Sequence, residues 1–365
     1  MMYIAYKSLL ARLYRLIYNK FAMNNSYLYI HNSILKSNIL SIFKNLPEGS
    51  SLIPVLKDNA YGLGVENVLP SIDKFCSMYA VAHISEGVRL RELTDKDILV
   101  LGNPVMDALD YAYDAALTIS VSRLGLIPLL KKGTKVHIAF NCGLNRTGIE
   151  IGEIPELTEE IRFSDIMLTG AYSHKGSFDT FIRCCDTLED YGINIPFKHY
   201  CCSEVYEEHP EYSLDGVRLG RRIFQSAPGM QDDIKECFTW KAFITDLNFM
   251  PEGTSLGYKS EYILKRNSKL AVISVGTGDG LNRDLIKAHS PVMINGKRSN
   301  ILVSFMDQTI VDVTGIECCI GDEVILFGYD KAGNLLPSQV VASGAGLEGV
   351  DLTSVLTQRV KKELI

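Results

Sequence analysis

VLKDNAYGLG, residues 55–64, ends an apolar run (Leu52, Ile53, Val55, Leu56) on a single lysine, then adds an amide, a tyrosine and two glycines. A short run with no polar alternation reads as a strand buried on both faces, which is the habit of parallel sheets covered by helices. Lys57 then emerges at the mouth of a packed interior. Desolvation there lowers an ammonium pKa and leaves an amine able to form a Schiff base. Gly62 and Gly64 let the chain turn tightly away from the strand.

Working outward, SLIPVL (51–56), MYAVAHI (78–84), DILVLG (97–102), LTISV (117–121), KVHIAF (135–140), DIMLTGAYS (165–173) and DGVRLG (215–220) read as strands. Helical patterns such as EGVRLREL (86–93) alternate with them, which predicts a parallel sheet. The span of roughly 210 residues suits an eight-stranded α/β barrel of the TIM type, in which chemistry sits where strands end. Beyond residue 238, TWKAFITDLNFM, KLAVISVG, RSNILVSFM, QTIVDVT and GDEVILFG are strands between turn-rich segments, and helical periodicity is almost gone. The expected organisation is an N-terminal extension at 1–24, a barrel at 25–237 and an all-β domain at 238–365, with SAPGMQDD (226–233) as the linker. GAGLEG (344–349) follows a strand-like SQVVAS and fits a dinucleotide-binding glycine pattern. Only sixteen residues follow it, too few for a βαβ unit, so that reading is set aside.

Composition narrows the function classes. The 365 residues are enough for two domains, the net charge is −6, and no long basic block offers a nucleic-acid surface. No apolar run reaches the roughly 18–20 residues of a membrane-spanning helix. Six of the nine cysteines form the adjacent pairs Cys184/Cys185, Cys201/Cys202 and Cys318/Cys319, and none has zinc-site CxxC spacing. Adjacent cysteines seldom bridge each other, so reduced thiols, a cytoplasmic protein and no metal are expected. The first 22 residues carry Lys7, Arg12, Arg15 and Lys20 and no acid, a poor secretory signal. They read as a basic amphipathic segment or as an extension ahead of a functional start at Met23.

Eight stretches carry a family resemblance in order. VLKDNAYGLG resembles V-x-K-A-N-A-Y-G-H-G of the alanine racemase family. AVAHISEGVRLREL (80–93), VHIAFNCGLNRTG (136–148), GAYSHKGSFD (170–179), DGVRLGRRIF (215–224), GTSLGYKSEY (253–262), VGTGDGLNR (275–283) and ILVSFMDQTIVDV (301–313) resemble its later motifs. The resemblance covers about residues 25–330. It implies pyridoxal 5'-phosphate as cofactor, a barrel followed by a β domain, and a homodimer with composite active sites. The implied activity is two-base proton transfer interconverting L- and D-alanine or a broader set of amino acids, with cell-wall peptidoglycan precursors as the family's expected use.

Carried over position by position, the resemblance implies that Lys57 bears the cofactor and serves as one proton carrier, and that Tyr258 serves the opposite face from the second subunit. It implies phosphate contacts from Tyr61, Ser203, Gly220 and Arg221. His174 matches the histidine packed on the cofactor ring. Arg218 matches the arginine facing the pyridine nitrogen. A guanidinium has only donors and stays charged, so the ring nitrogen stays unprotonated and the cofactor is a weaker electron sink. That suits brief proton removal and return. Arg146, Met306 and Asp307 match positions near the substrate carboxylate.

Three positions depart from the family pattern. Ala139 replaces a lysine, often carbamylated, that orients the arginine matched by Arg146; Asn141 or a bound anion is expected to take over. Thr277 replaces a tyrosine at the entrance, and the terminal segment GVDLTSVLTQRVKK lacks another. Both losses predict a pocket tolerant of side chains larger than methyl. The alternatives are a lyase or decarboxylase of the same fold, which would set an acid against the pyridine nitrogen, and a cofactor-binding paralogue without turnover.

Overall fold

The computed structural model describes residues 25–226 and 233–365. The extension at 1–24 and most of the 226–233 linker lie outside the described residues. Contacts divide the chain into a unit of His31–Cys237 and a unit formed by residues 25–30 with Phe238–Ile365.

Strand β1 (Tyr27–Ile30) comes first in the chain and belongs to the second unit. The first unit is built on β2 (Ser51–Pro54), β3 (Met78–Val81), β4 (Asp97–Val100), β5 (Thr118–Val121), β6 (Lys135–Ala139), β7 (Met167–Tyr172), β8 (Lys198–His199) and β9 (Gly216–Leu219). β3 to β8 pair in sequence order and β2 pairs with β9, all in parallel. Parallel bridges Val55↔Ala80 and Cys202↔Arg218 join the two sets, so eight strands close into a barrel. Its inner packing includes Ile53, Val55, Ala80 and Leu99 against Met78, Leu101 and Phe197. The surrounding helices are amphipathic. Phe178–Asp190 buries Phe181, Cys184, Cys185 and Leu188 at helical spacing, and its N-cap Ser177 accepts a hydrogen bond from the Thr180 amide. Seven barrel strands coincide with strand-like sequence. The eighth, β8, is two residues long, too short to leave a period in the sequence.

The second unit is a largely antiparallel sheet around the long strand β10 (Phe238–Met250). Register shifts near Trp240 and Ile244 let this strand pair with both Glu323–Tyr329 and Ser268–Ile273. Thr309–Asp312, Lys297–Ser304 and Pro291–Ile294 extend the sheet. Two expectations are corrected here. Residues 25–30 do not belong with the barrel, because β1 hydrogen-bonds to β10 and to Lys361–Leu364. SQVVAS is a helix, Ser338–Ser343, that turns Val341 and Ala342 inward; six apolar-rich residues do not distinguish helix from strand by period. Among the described residues no helix is long and apolar enough to cross a membrane.

Candidate active site

The segment after β2 makes an unusual turn. Asp58, Asn59, Ala60 and Tyr61 all have positive φ, from 53° to 57°, and Gly62 follows at 82°. Left-handed helix costs an L-residue roughly 1–2 kcal/mol, so four in a row need support. The supports are specific. Amide Asp58 N–H donates to Glu86 Oε1 at 2.5 Å, and Glu86 Oε2 accepts from Ala82 and His83. The Ala60 amide donates to the Leu56 carbonyl, Gly62 to Asp58 and Gly64 to Asn59. Asn59 Oδ1 accepts from Val65, the first residue of helix Val65–Ile72. The turn sets Lys57 at the barrel mouth, with Nζ 5.6 Å from the Tyr61 ring centroid. Burial stops at Leu56, and the Lys57 side chain is exposed, which corrects the expectation that desolvation prepares its amine.

Beneath the mouth, Arg218 on β9 is 2% exposed. Nη1 donates to His199 Nδ1 (2.6 Å) and the His199 carbonyl (2.9 Å). Nη2 donates to the carbonyls of Ser173 (2.6 Å) and Tyr200 (3.0 Å). The guanidinium also lies 4.9 Å from the Tyr172 ring centroid. Carbonyls and an imidazole therefore hold this buried cation, and none of its hydrogen-bond partners is a carboxylate. Nε–H has no partner among the described residues.

Tyr61, Ser203, Gly220 and Arg221 converge. The Gly220 amide donates to Ser203 Oγ at 3.3 Å, and a Cβ at Gly220 would overlap the Tyr61 hydroxyl, so glycine is required there. Burial pushes the Tyr61 phenol up, opposed by the Arg221 charge and a hydrogen bond from the Arg221 backbone. His174, after β7, is pushed down to about 4 by enclosure and then by the charges of Arg218, Arg146 and Lys57. These cations thus share one electrostatic neighbourhood at the barrel mouth.

Arg146 is exposed and has no hydrogen-bonding or ion-pair partner among the described residues. The expectation that Asn141 orients it is therefore corrected. Asn141 Nδ2 donates to Asn145 and Glu150, and its Oδ1 accepts from Gly143 and Asn145, so it ties its own loop together. Ala139 is buried at the end of β6.

In the second unit, Tyr258 is 89% exposed and packs edge-on against Phe305 at 5.2 Å. Met306 is 67% exposed. Asp307 pairs with Arg359 Nη2 at 2.7 Å, and Arg359 Nε also reaches Asp279 at 3.2 Å. The Thr277 and Gly278 amides donate to the carbonyls of Phe305 and Met306, which fixes the Met306–Asp307 turn.

The alanine racemase N-terminal domain matches residues 30–228, and the alanine racemase C-terminal domain matches residues 237–364. The chain belongs to the alanine racemase family. An alanine racemase of Halothermothrix orenii is 29% identical over 91% of this chain and 94% of its own. Alanine racemase 2 of Caldanaerobacter subterraneus is 30% identical over 83% of this chain and 85% of its own. The solved alanine racemase of Clostridium difficile shares the fold, with a TM-score of 0.86 at 23% identity, covering 94% and 96% of the two chains. Members of the alanine racemase family are pyridoxal-phosphate-dependent isomerases, and the residues present fit that cofactor. The fit rests on the spare Nε–H of Arg218, the hydroxyls and amide gathered at a glycine that admits no Cβ, and the open amine of Lys57. The motif comparison left two supporting residues without a role. Glu86 lay inside a quoted motif, and its position three residues after His83 is a capping-box spacing that could have flagged it. Arg359 lies in the quoted terminal segment GVDLTSVLTQRVKK, whose likeness to the family's ending could have flagged it beside the missing tyrosine.

Proposed function

We propose that the protein interconverts the L- and D-forms of alanine, or of a broader set of amino acids, by moving one proton between two side chains. The observation that carries this reading is the buried Arg218, held without a carboxylate and with Nε–H spare toward the cofactor. An acid in that place would favour a lyase or decarboxylase, so those readings fall behind.

Bound pyridoxal phosphate withdraws electrons from the substrate Cα and so acidifies its proton. This chain's residues do the rest. Lys57 Nζ would hold the cofactor, and its amine would accept or return the substrate proton on one face. The Tyr258 phenol serves the other face. Tyr61, Ser203 and the Gly220–Arg221 backbone bind the phosphate, and His174 packs against the ring. Arg146, without a partner among the described residues, would take the substrate carboxylate. Asp307 would repel that carboxylate, but its charge is already offset by Arg359.

Tyr258 stands in the second unit, almost fully exposed, which supports a site completed by a second copy, hence a homodimer. All nine cysteines are free thiols, which supports a cytoplasmic setting. A supply of D-alanine for peptidoglycan fits the family, and a specialised biosynthetic role fits Thr277 and the missing terminal tyrosine, which would widen the pocket.

The test is incubation with L-alanine, L-serine, L-lysine and L-arginine in deuterated buffer, following Cα deuterium and chirality together. Deuterium uptake with racemisation of alanine and of at least one larger substrate is the expected result. Strict preference for alanine overturns the wider pocket. Deuterium uptake without inversion overturns the role of Tyr258, and no uptake on any substrate favours a paralogue without turnover.

A further inference from the structure

Behind Arg218 runs a second polar layer that the reaction above does not use. His199 Nε2 lies 2.9 Å from His137 Nδ1, and both rings are 0% exposed. His137 sits on β6 and His199 on β8, inside the barrel. His137 Nε2 is buried and has no hydrogen-bond partner among the described residues. The ring lies against the bare backbone of Gly170, where a Cβ would come within 2.8 Å of His137 Nε2.

The proton positions in this chain are determined by its first member. Arginine carries donors only, so His199 Nδ1, 2.6 Å from Arg218 Nη1, must be an acceptor. A neutral His199 then carries its proton on Nε2 and donates to His137 Nδ1. His137 in turn carries its proton on Nε2, the atom without a partner. Either ring in its other tautomer would set two N–H groups against each other across less than 3 Å. Both imidazoles are kept neutral by burial first and by the Arg218 charge second; His137 is pushed down to about 3.

We propose that His137 is a positioning residue for the reaction: by accepting the Nε2–H of His199 it anchors the ring whose tautomer Arg218 dictates, and so holds Arg218 with Nη1 turned to the histidine and Nε left for the cofactor's pyridine nitrogen. The uncommon feature is the orphaned N–H, tolerated at the far end of the chain so that every bond nearer the site runs in one direction. Buried polar groups normally find partners, and one left unpaired carries a penalty that a packing role alone would not require. The inference rests on the racemase reading for its consequence in turnover, but not for the proton positions themselves.

The test uses the full chain with histidine labelled in 15N, with and without pyridoxal phosphate, and with His137→Asn and His137→Leu as variants. Asn places Oδ1 about where Nδ1 stood and keeps an acceptor; Leu has similar bulk and none. In the wild type, long-range 15N–1H spectra should show both rings protonated on Nε2, without change from pH 6 to 9. An Nδ1–H form of either ring overturns the proposal whether or not any variant folds. In His137→Leu the His199 Nε2–H loses its acceptor, so its proton resonance should move upfield and broaden by exchange while Nδ1 still faces Arg218; kcat should fall by about 10–100-fold, with KM within about threefold, and His137→Asn should recover most of kcat. Equal kcat in the two variants, or a His199 Nε2–H resonance unmoved by Leu, overturns it. A wild type that shows the expected tautomers but racemises nothing leaves the proton chain standing and removes the racemase reading instead.

Discussion

The barrel mouth and the Tyr258 face of the β unit are built on opposite principles. At the mouth each group is fixed by several bonds: Arg218 by four hydrogen bonds, the Lys57 turn by Glu86 and by its own backbone. On the β unit, Tyr258 has one ring neighbour and is 89% exposed. Chemistry that depends on a cofactor's exact orientation needs the first arrangement, because small misplacements of a reacting group are costly. A proton carrier shown to solvent in the isolated chain makes sense only where another surface covers it. On the proposed function, the difference teaches that one chain holds a finished cofactor site and a proton relay that a second copy would complete.

The strongest way to break that comparison is to separate its halves. Lys57→Ala is expected to lower racemisation by about 10⁴-fold or more, and Tyr258→Phe by about 10²–10⁴-fold, each measured as kcat/KM by chiral chromatography. If the halves meet only across a dimer, mixing the two inactive variants under subunit exchange restores about a quarter of the wild-type sites, since half of the dimers pair one intact lysine with one intact tyrosine. No recovery on mixing, with exchange confirmed by mass, would place both groups in one chain's site and remove the contrast drawn above.

What the sequence made legible follows the same divide. Most of the barrel strands are short, apolar and separated by helical patterns, so their alternation survives in the sequence, and Lys57 stands out because a strand so apolar ends on a charge. The left-handed turn after it shows only in part: Asp58, Asn59, Gly62 and Gly64 tolerate positive φ, but Ala60 and Tyr61 carry no local preference for it. What holds the turn is Glu86, twenty-eight residues on, a tertiary effect outside any local window. Asn141 misled for a related reason. It replaces an acid in the loop of Arg146, but an amide with both a donor and an acceptor was free to satisfy its own loop first. The motifs on the β unit marked Tyr258, Met306 and Asp307, while the role of Arg359, fifty-two positions beyond Asp307 and inside the quoted terminal segment, is shown by its ion pair.

Glu86 gives the sharper test of how the mouth is held. Glu86→Ala leaves the Asp58 N–H without its acceptor and removes the cap on helix Ile84–Arg91, for an expected loss of about 1–3 kcal/mol in urea unfolding. Glu86→Gln keeps an acceptor oxygen for Asp58 and should lose less than half of that. Cofactor affinity, followed by absorbance on reconstitution, should weaken in the same order, because the turn carries both Lys57 and Tyr61. Equal stability of the alanine and glutamine variants would mean that the backbone bonds of the turn suffice without Glu86.

The smallest expected effect concerns the two buried histidines. In the unfolded chain each imidazole binds a proton as the pH falls through about 6.5. In the folded chain burial and Arg218 hold His137 near 3 and His199 well below its ordinary value, so neither binds one until far lower pH. The unfolded state therefore takes up more protons between pH 6.5 and 4, and stability rises with pH across that window and falls on acidification. Each ring contributes a slope of up to about 1.4 kcal/mol per pH unit. The β unit places no such buried histidine behind Tyr258; its one histidine, His289, is partly exposed and its Nδ1 meets the Ile301 carbonyl. Carboxylates begin to titrate at the acid end of the same window, so the informative quantity is the difference between proteins. His137→Asn should remove one of the two contributions while leaving the carboxylates alone, and urea midpoints measured from pH 6.5 down to 5 should fall less steeply in the variant. Parallel lines would mean that His137 already carries a proton in the folded barrel. A charged His137 has no free Nδ1 to receive the Nε2–H of His199, so that one result would also undo the ordered proton chain behind Arg218.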